Sequence, residues 1–89
     1  MTITEIAWDS DTITHIARHA VEPKEVEAVC FSNKVSILCG RGKTYYALGQ
    51  TDTGRYLTVI FRYLGRNKAK IITARAMSEA ERKYYQRRR

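Results

Sequence analysis

An α+β fold is predicted for these 89 residues: a small antiparallel four-stranded sheet with two N-terminal helices and one C-terminal helix. Three observations predict it. Four runs rich in β-branched and aromatic residues follow one another, separated by turn residues. Two short segments with helix-start signals come before them. Behind them Ser78 and Glu81 form a capping box, which opens a third helix. Strands and helices grouped in runs suit an α+β arrangement, here with the helices expected on one face of the sheet. The length suits one domain with one modest core, so residues 1–89 read as a single unit.

The elements follow in order. Ile3–Trp8 alternates briefly and reads as a short strand or an extended lead-in. Asp9, Ser10 and Asp11 are N-cap residue types. Ile13, Ile16, Ala17 and Ala20 follow at helical spacing, so a helix is expected near 10–19. Val21-Glu22-Pro23 breaks and restarts the chain. Pro23 suits the first helical position, and Glu25 and Glu27 suit the first turn. Val26, Val29 and Cys30 form the inner face of a second helix near 23–31.

Strands are expected at 35–39, 43–49, 55–64 and 69–75. Val35, Ile37 and Cys39 share one side of the first strand. Gly40-Arg41-Gly42-Lys43 is a basic hairpin turn, and Gly65-Arg66-Asn67-Lys68 is the turn of the central hairpin. Leu57, Val59, Phe61, Ile71 and Val29 are expected in the core. The last helix covers 79–87 and frays into Arg87-Arg88-Arg89.

Charge divides the chain. The net charge is +7, yet residues 1–30 carry six carboxylates against Arg18 and Lys24. Residues 31–89 carry 14 basic residues against Asp52, Glu79 and Glu81. A solvated basic surface would serve solubility alone. An asymmetry this large points further, to a polyanionic partner, with nucleic acid first. No run is long enough to span a bilayer and no signal peptide is visible, so a soluble, cytoplasmic protein without a membrane partner is expected.

Arg55, Arg62, Lys70 and Arg75 lie inside the strands of the central hairpin. An arginine in a central strand costs stability unless it has a partner. For Arg62 an internal ion pair, for instance with Glu81, and an external phosphate weigh equally. For Arg75 the phosphate is the better reading. Turn length and register decide whether Arg62 and Arg75 share a face. Arg41 and Lys43, at a glycine turn followed by a strand, are an exposed tip or a nucleic-acid contact.

Tyr84 and Tyr85 sit among Arg82, Lys83 and the terminal arginines. One should pack on Ala80, leaving the other to stack on a base or move a proton. Tyr45 and Tyr46, on a strand, should likewise point one in and one out. His15 and His19 share a helix face, but no third ligand is evident, so no metal site is expected. His19 reads as structural or as an accessory phosphate contact. Cys30 and Cys39 lie in apolar runs and are expected as buried free thiols. No nucleophilic triad, nucleotide fingerprint or carboxylate cluster for two metals is visible, and no cofactor is expected. Chemistry on RNA would then be metal-free: the 2′-OH attacks the adjacent phosphate, arginines hold the developing charge, and a Tyr, His, Lys or Glu moves protons.

Short motifs along nearly the whole chain resemble the BrnT family of toxins. They are Trp8-Asp9, His15–Val21 (HIARHAV), Pro23–Glu27 (PKEVE), Ala47-Leu48-Gly49, Gly54-Arg55-Tyr56-Leu57 and Ile71–Met77 (IITARAM), with Glu81 and Tyr84-Tyr85 behind. The resemblance implies the toxin half of a type II toxin–antitoxin pair, with a RelE-like fold. The implied activity is a ribonuclease that blocks translation. The implied partners are RNA, with the ribosome as a candidate place of cutting, and a BrnA-like antitoxin. Carried over, the site residues are Arg75, Arg62, Glu81 and Tyr84 or Tyr85; Arg41, Lys43, Arg55, Lys70 and His19 are RNA contacts on the reading of the residues themselves.

The chain departs from the family in three places. Ala20 replaces the usual glycine, which argues against a left-handed helix end there. An Asn and a Lys common in the first helix of the family have no counterpart. Lys43-Thr44 replaces a usual Glu-Arg pair. The reading is a metal-independent endoribonuclease. Its rivals are a non-catalytic nucleic-acid-binding module and a subunit whose basic face meets an acidic protein.

Overall fold

The central hairpin behaves as its sequence dictates. In the computed structural model, which describes residues 1–88, β4 (Tyr56–Gly65) and β5 (Lys68–Ala76) pair antiparallel around Arg66 and Asn67. Both turn residues have positive φ, 54° and 64°, the conformation that matches the twist of a two-residue hairpin. On its other side β4 pairs with β3 (Thr44–Gln50), which pairs with β2 (Ser36–Cys39). All of these pairs are antiparallel, as expected.

The sheet has a fifth strand, however, and is therefore mixed. Residues Glu5–Ala7, β1, pair parallel with Lys68–Lys70 at the outer edge of β5, giving the order β1-β5-β4-β3-β2. Three residues carry little pattern of their own. Their partner lies some 60 positions away, so local sequence could not distinguish strand from lead-in.

Helices α1 (Ser10–Ala17) and α2 (Pro23–Cys30) cover one face. Asp9 caps α1, its Oδ1 accepting from the Thr12 amide at 2.7 Å. Of the four apolar positions expected to face inward only Ile16 is buried; Ile13, Ala17 and Ala20 are exposed because α1 lies over the edge at β5 and not over the sheet centre. Glu22 and Glu25 form the capping box of α2, and Val26, Val29 and Cys30 are buried as expected. They meet Leu57, Val59, Phe61, Ile71 and Ala74 in the main core. Each large side chain buried there contributes about 1.5–3 kcal/mol. Close packing also fixes Gly49, where a Cβ would come within 2.8 Å of Val29 Cγ1.

The end of α1 corrects one expectation. Ala20 adopts φ +58° without being glycine. The Val21 amide donates to the Ile16 carbonyl at 3.1 Å and the Ala20 amide to that of Ala17 at 2.9 Å, the Schellman pattern. Ile16 and Val21, both buried in the main core, hold the turn closed. Tertiary packing thus offsets the left-handed cost of the Ala20 Cβ.

α3 (Glu79–Arg88) corrects another. It lies on the opposite face from α1 and α2, so helices cover both faces. Thr58 opposes Leu48 on β3 and Arg75 on β5, on the face turned away from Val59, Ala47 and Ala74. Thr58 and Leu48 are buried there, Tyr85 of α3 is 2% exposed, and Glu81 of α3 accepts from Thr58. The amphipathic pattern of a short, very basic helix shows that it has one apolar side, not which sheet face receives it.

The thiols correct a third. Both cysteines are free, but only Cys30 is buried. Cys39, at the end of edge strand β2, is exposed.

Candidate nucleic-acid interface

The sheet face away from the main core is the cationic one. Cross-strand partners share a face, so the pairs Thr44↔Arg62↔Lys70, Tyr46↔Ile60↔Thr73 and Leu48↔Thr58↔Arg75 form three successive rows on it. A β-bulge puts Lys70 and Arg75 on one face. Ile60 pairs with Thr73 but Phe61 with Ile71, which leaves Ile72 unpaired and 43% exposed. One extra residue reverses the alternation. Without it, Ala74 would oppose Thr58 and Arg75 would turn into the core. With it, Arg62 and Arg75 stand on the same face, about 13 Å apart along the strands.

Arg75 does not wait for a phosphate alone. Its Nη1 donates to Glu81 Oε1 at 2.7 Å and its Nη2 to Oε2 at 2.9 Å. Nη1 also donates to the Ala76 carbonyl at 3.2 Å. A guanidinium has five N–H donors. Three are used, and the Nε–H with the second Nη2–H has no acceptor among the described residues. That pair forms the side-on fork suited to phosphate oxygens. Glu81 also accepts from Thr58 Oγ1 at 2.9 Å and from the Ser78 amide at 2.8 Å. The Arg75 guanidinium foremost, then the Ser78 amide and Thr58, hold its carboxyl down to about 2. Glu81 is therefore ionised at neutral pH. A carboxylate this acidic is a poor proton acceptor; its two oxygens hold the Arg75 guanidinium in place.

The other sequence candidates part company. Arg62 and Lys70 are exposed neighbours, and Arg62 has no carboxylate within ion-pair reach among the described residues. The exposed turn with Arg41 and Lys43 leads into Thr44, the other neighbour of Arg62. Arg55 turns away: its Nη1 donates to Glu25 at 2.9 Å and to the Ala20 carbonyl at 2.8 Å. It holds the end of α1 and the start of α2 on β4, on the core side of the sheet and away from Arg62 and Arg75.

Tyr85 is the inward tyrosine, packed edge-to-face with Tyr56 at 6.1 Å. Tyr84 is half-buried beneath the Arg88 guanidinium. Burial removes Tyr85 as a direct contact to RNA and leaves Tyr84. Arg89 lies outside the described residues. His19 is exposed and meets His15 edge-to-face at 5.6 Å.

Two participants were not singled out for this site from the sequence. Tyr45 stacks on Phe61 toward the core, so Tyr46 occupies the cationic face, near Arg75. The alternation of strand residues was the signal for it. His15, on α1 at the β5 edge, brings its Nε2 to 3.0 Å from the Oγ1 of Thr73, a residue of the cationic face. No local signal could have announced a contact across 58 residues. Among the described residues no three His, Cys, Asp or Glu side chains gather closely enough to hold a metal ion.

A solved structure has a similar fold. The crystal structure of the ribonuclease toxin BrnT of Brucella abortus superposes with a TM-score of 0.68, covering 88% of this chain and all of the other, at 22% identity. The fold is that of BrnT. No family model and no curated protein sequence matches the chain. The BrnT fold thus stands on tertiary structure, with the motif order of the sequence beside it.

Proposed function

We propose that the chain is a BrnT-like ribonuclease toxin that cuts RNA without a metal, inhibits translation and is neutralised by a BrnA-like antitoxin. The observation that carries this reading is the held arginine. Arg75 presents a free guanidinium edge on a cationic sheet face, in a fold shared with a ribonuclease toxin. Arg75 stabilises charge that develops on the phosphate, Glu81 fixes its orientation, and Arg62 and Lys70 hold the strand further along. Tyr84, Arg41, Lys43 and His19 are the outer contacts. An antitoxin would cover the same face with acidic side chains.

The test is single-turnover cleavage of a mixed-sequence RNA by the purified chain. Arg75→Ala should cut the rate by roughly 10²–10³-fold. Arg75→Lys keeps the charge but loses the two-pronged geometry and should recover only part of it. Cleavage should survive EDTA and leave a 2′,3′-cyclic phosphate. An Arg75→Ala protein that cuts at the parent rate, or loss of activity in EDTA, refutes the mechanism. Binding without cleavage by the parent would leave a non-catalytic module.

A further inference from the structure

The cleavage reaction needs a group to take the 2′-hydroxyl proton, and the residues around Arg75 narrow the choice. Glu81 has both oxygens engaged by Arg75, Thr58 and Ser78. Tyr85 is buried, and Tyr84 lies under Arg88. Two proton-transfer groups remain beside the row of Thr73, Tyr46 across β4 and His15, and an imidazole is the commoner base. His15 is exposed, and its Nε2 lies 3.0 Å from Thr73 Oγ1. Thr73 precedes Arg75 by two positions on β5 and shares its face, so the two stand about 7 Å apart along the strand. That interval spans a phosphate held by Arg75 and the ribose next to it. An Nε2–H donated to Thr73 leaves Nδ1 as an acceptor, and Nδ1 has no partner among the described residues.

Resting on the ribonuclease reading above, we propose that His15 is the general base of the cleavage step, with Thr73 as the residue that positions its ring. The 2′-O–H bond breaks and its proton passes to His15 Nδ1. The 2′-oxygen bonds to phosphorus, and the P–O5′ bond breaks. The departing 5′-oxygen takes a proton from water, and His15 returns its own to solvent. The products are a 2′,3′-cyclic phosphate and a 5′-hydroxyl. His19, edge-on to His15 at 5.6 Å, packs beside its ring and takes no part in the transfer.

The test compares the full-length chain with His15→Gln, His15→Ala and Thr73→Val on mixed-sequence single-stranded RNA. Both His15 variants should lose on the order of 10²-fold or more in single-turnover rate. Binding of the same pool carrying 2′-O-methyl groups should be unchanged. Added imidazole should restore part of the His15→Ala rate, which a merely structural histidine would not allow. Thr73→Val should show an intermediate loss. In the parent, the 2′-O-methyl pool should shift the ring resonances of His15 together with those of the Arg75 guanidinium.

A His15→Gln protein that cuts at the parent rate overturns the assignment of His15 and leaves the ribonuclease reading standing. So does a loss of rate that imidazole fails to rescue and that a fall in melting temperature accompanies. A parent chain that binds RNA without cutting it overturns the ribonuclease reading itself, and the base with it.

Discussion

Arg75 and Glu81 meet end-on, two N–H donors against two carboxylate oxygens at 2.7 and 2.9 Å, and so tie the end of β5 to the first turn of α3. The pair is partly buried, at 36% and 18% side-chain exposure, and Thr58 and the Ser78 amide complete the acceptor shell of Glu81. One residue is thus held in place by another that lies six positions on. The same contact is the main link between the basic helix and the sheet besides Tyr85.

This link should fail in acid. The Glu81 carboxyl is held at about 2 in the folded chain, from an ordinary 4.5, first by Arg75 and then by Ser78 and Thr58. The unfolded chain therefore binds the proton more readily. The stability from this group is complete above about 4.5 and is lost as pH falls toward 2. Screening at a partly open site reduces the contribution to on the order of 2 kcal/mol. Urea unfolding at pH 6 and pH 3 should show that loss in the parent and little of it in Glu81→Gln, which is already destabilised at pH 6. Equal pH dependence in the two proteins would place the acid sensitivity elsewhere.

Ala20 gives a stabilising substitution. Its φ of +58° carries a Cβ in the left-handed region, at a cost of about 1–2 kcal/mol. Glycine removes that cost but gains freedom in the unfolded chain, so the net gain is about 1 kcal/mol. Ala20→Gly should raise the melting temperature by roughly 4–8 °C. An unchanged or lower melting temperature would mean that the Schellman turn is not as tight as its hydrogen bonds indicate.

The thiols should react at different rates. Cys39 is exposed, whereas burial pushes the Cys30 thiol up to about 12, with Glu27 adding to the shift. Since the thiolate is the reactive form, Ellman's reagent at pH 8 should modify one thiol quickly in the native protein and two in urea. Cys39→Ser should abolish the fast phase. Two fast thiols in the native state would contradict the burial of Cys30 at the end of α2.

Salt should separate the arginines. Contact with about four to six phosphates predicts a slope of log K against log salt of roughly −3 to −4 on single strands. Arg62→Ala should make the slope shallower by about 0.7. Arg55→Ala should leave it unchanged and instead lower stability, because the partners of Arg55 are Glu25 and the Ala20 carbonyl. A flat titration of the parent would favour the protein-interaction rival.

Local chemistry made much of this legible in the sequence. Alternation along 55–64 marked Leu57, Val59 and Phe61 as core, and all three are fully buried. Asp9, Pro23, and Ser78 with Glu81 marked three helix starts, because a cap is a contact between residues two or three positions apart. The charge division marked the strand cations as the feature to explain.

What remained undecided depended on contacts between distant residues. Alternation cannot reveal an extra residue, so only the pairing of β4 with β5 shows that a bulge at Ile72 turns Arg75 toward Arg62 and not into the core. Arg55 and Arg62 look alike on one strand. They diverge because α2 brings Glu25 beside the first, while no described carboxylate comes near the second. A three-residue strand, the sheet face that receives α3 and the approach of His15 to Thr73 were likewise decided by packing. A sequence fixes the groups a residue can offer. Which of them meet is set by the register and layering of the whole chain, where a shift of one residue reverses a face.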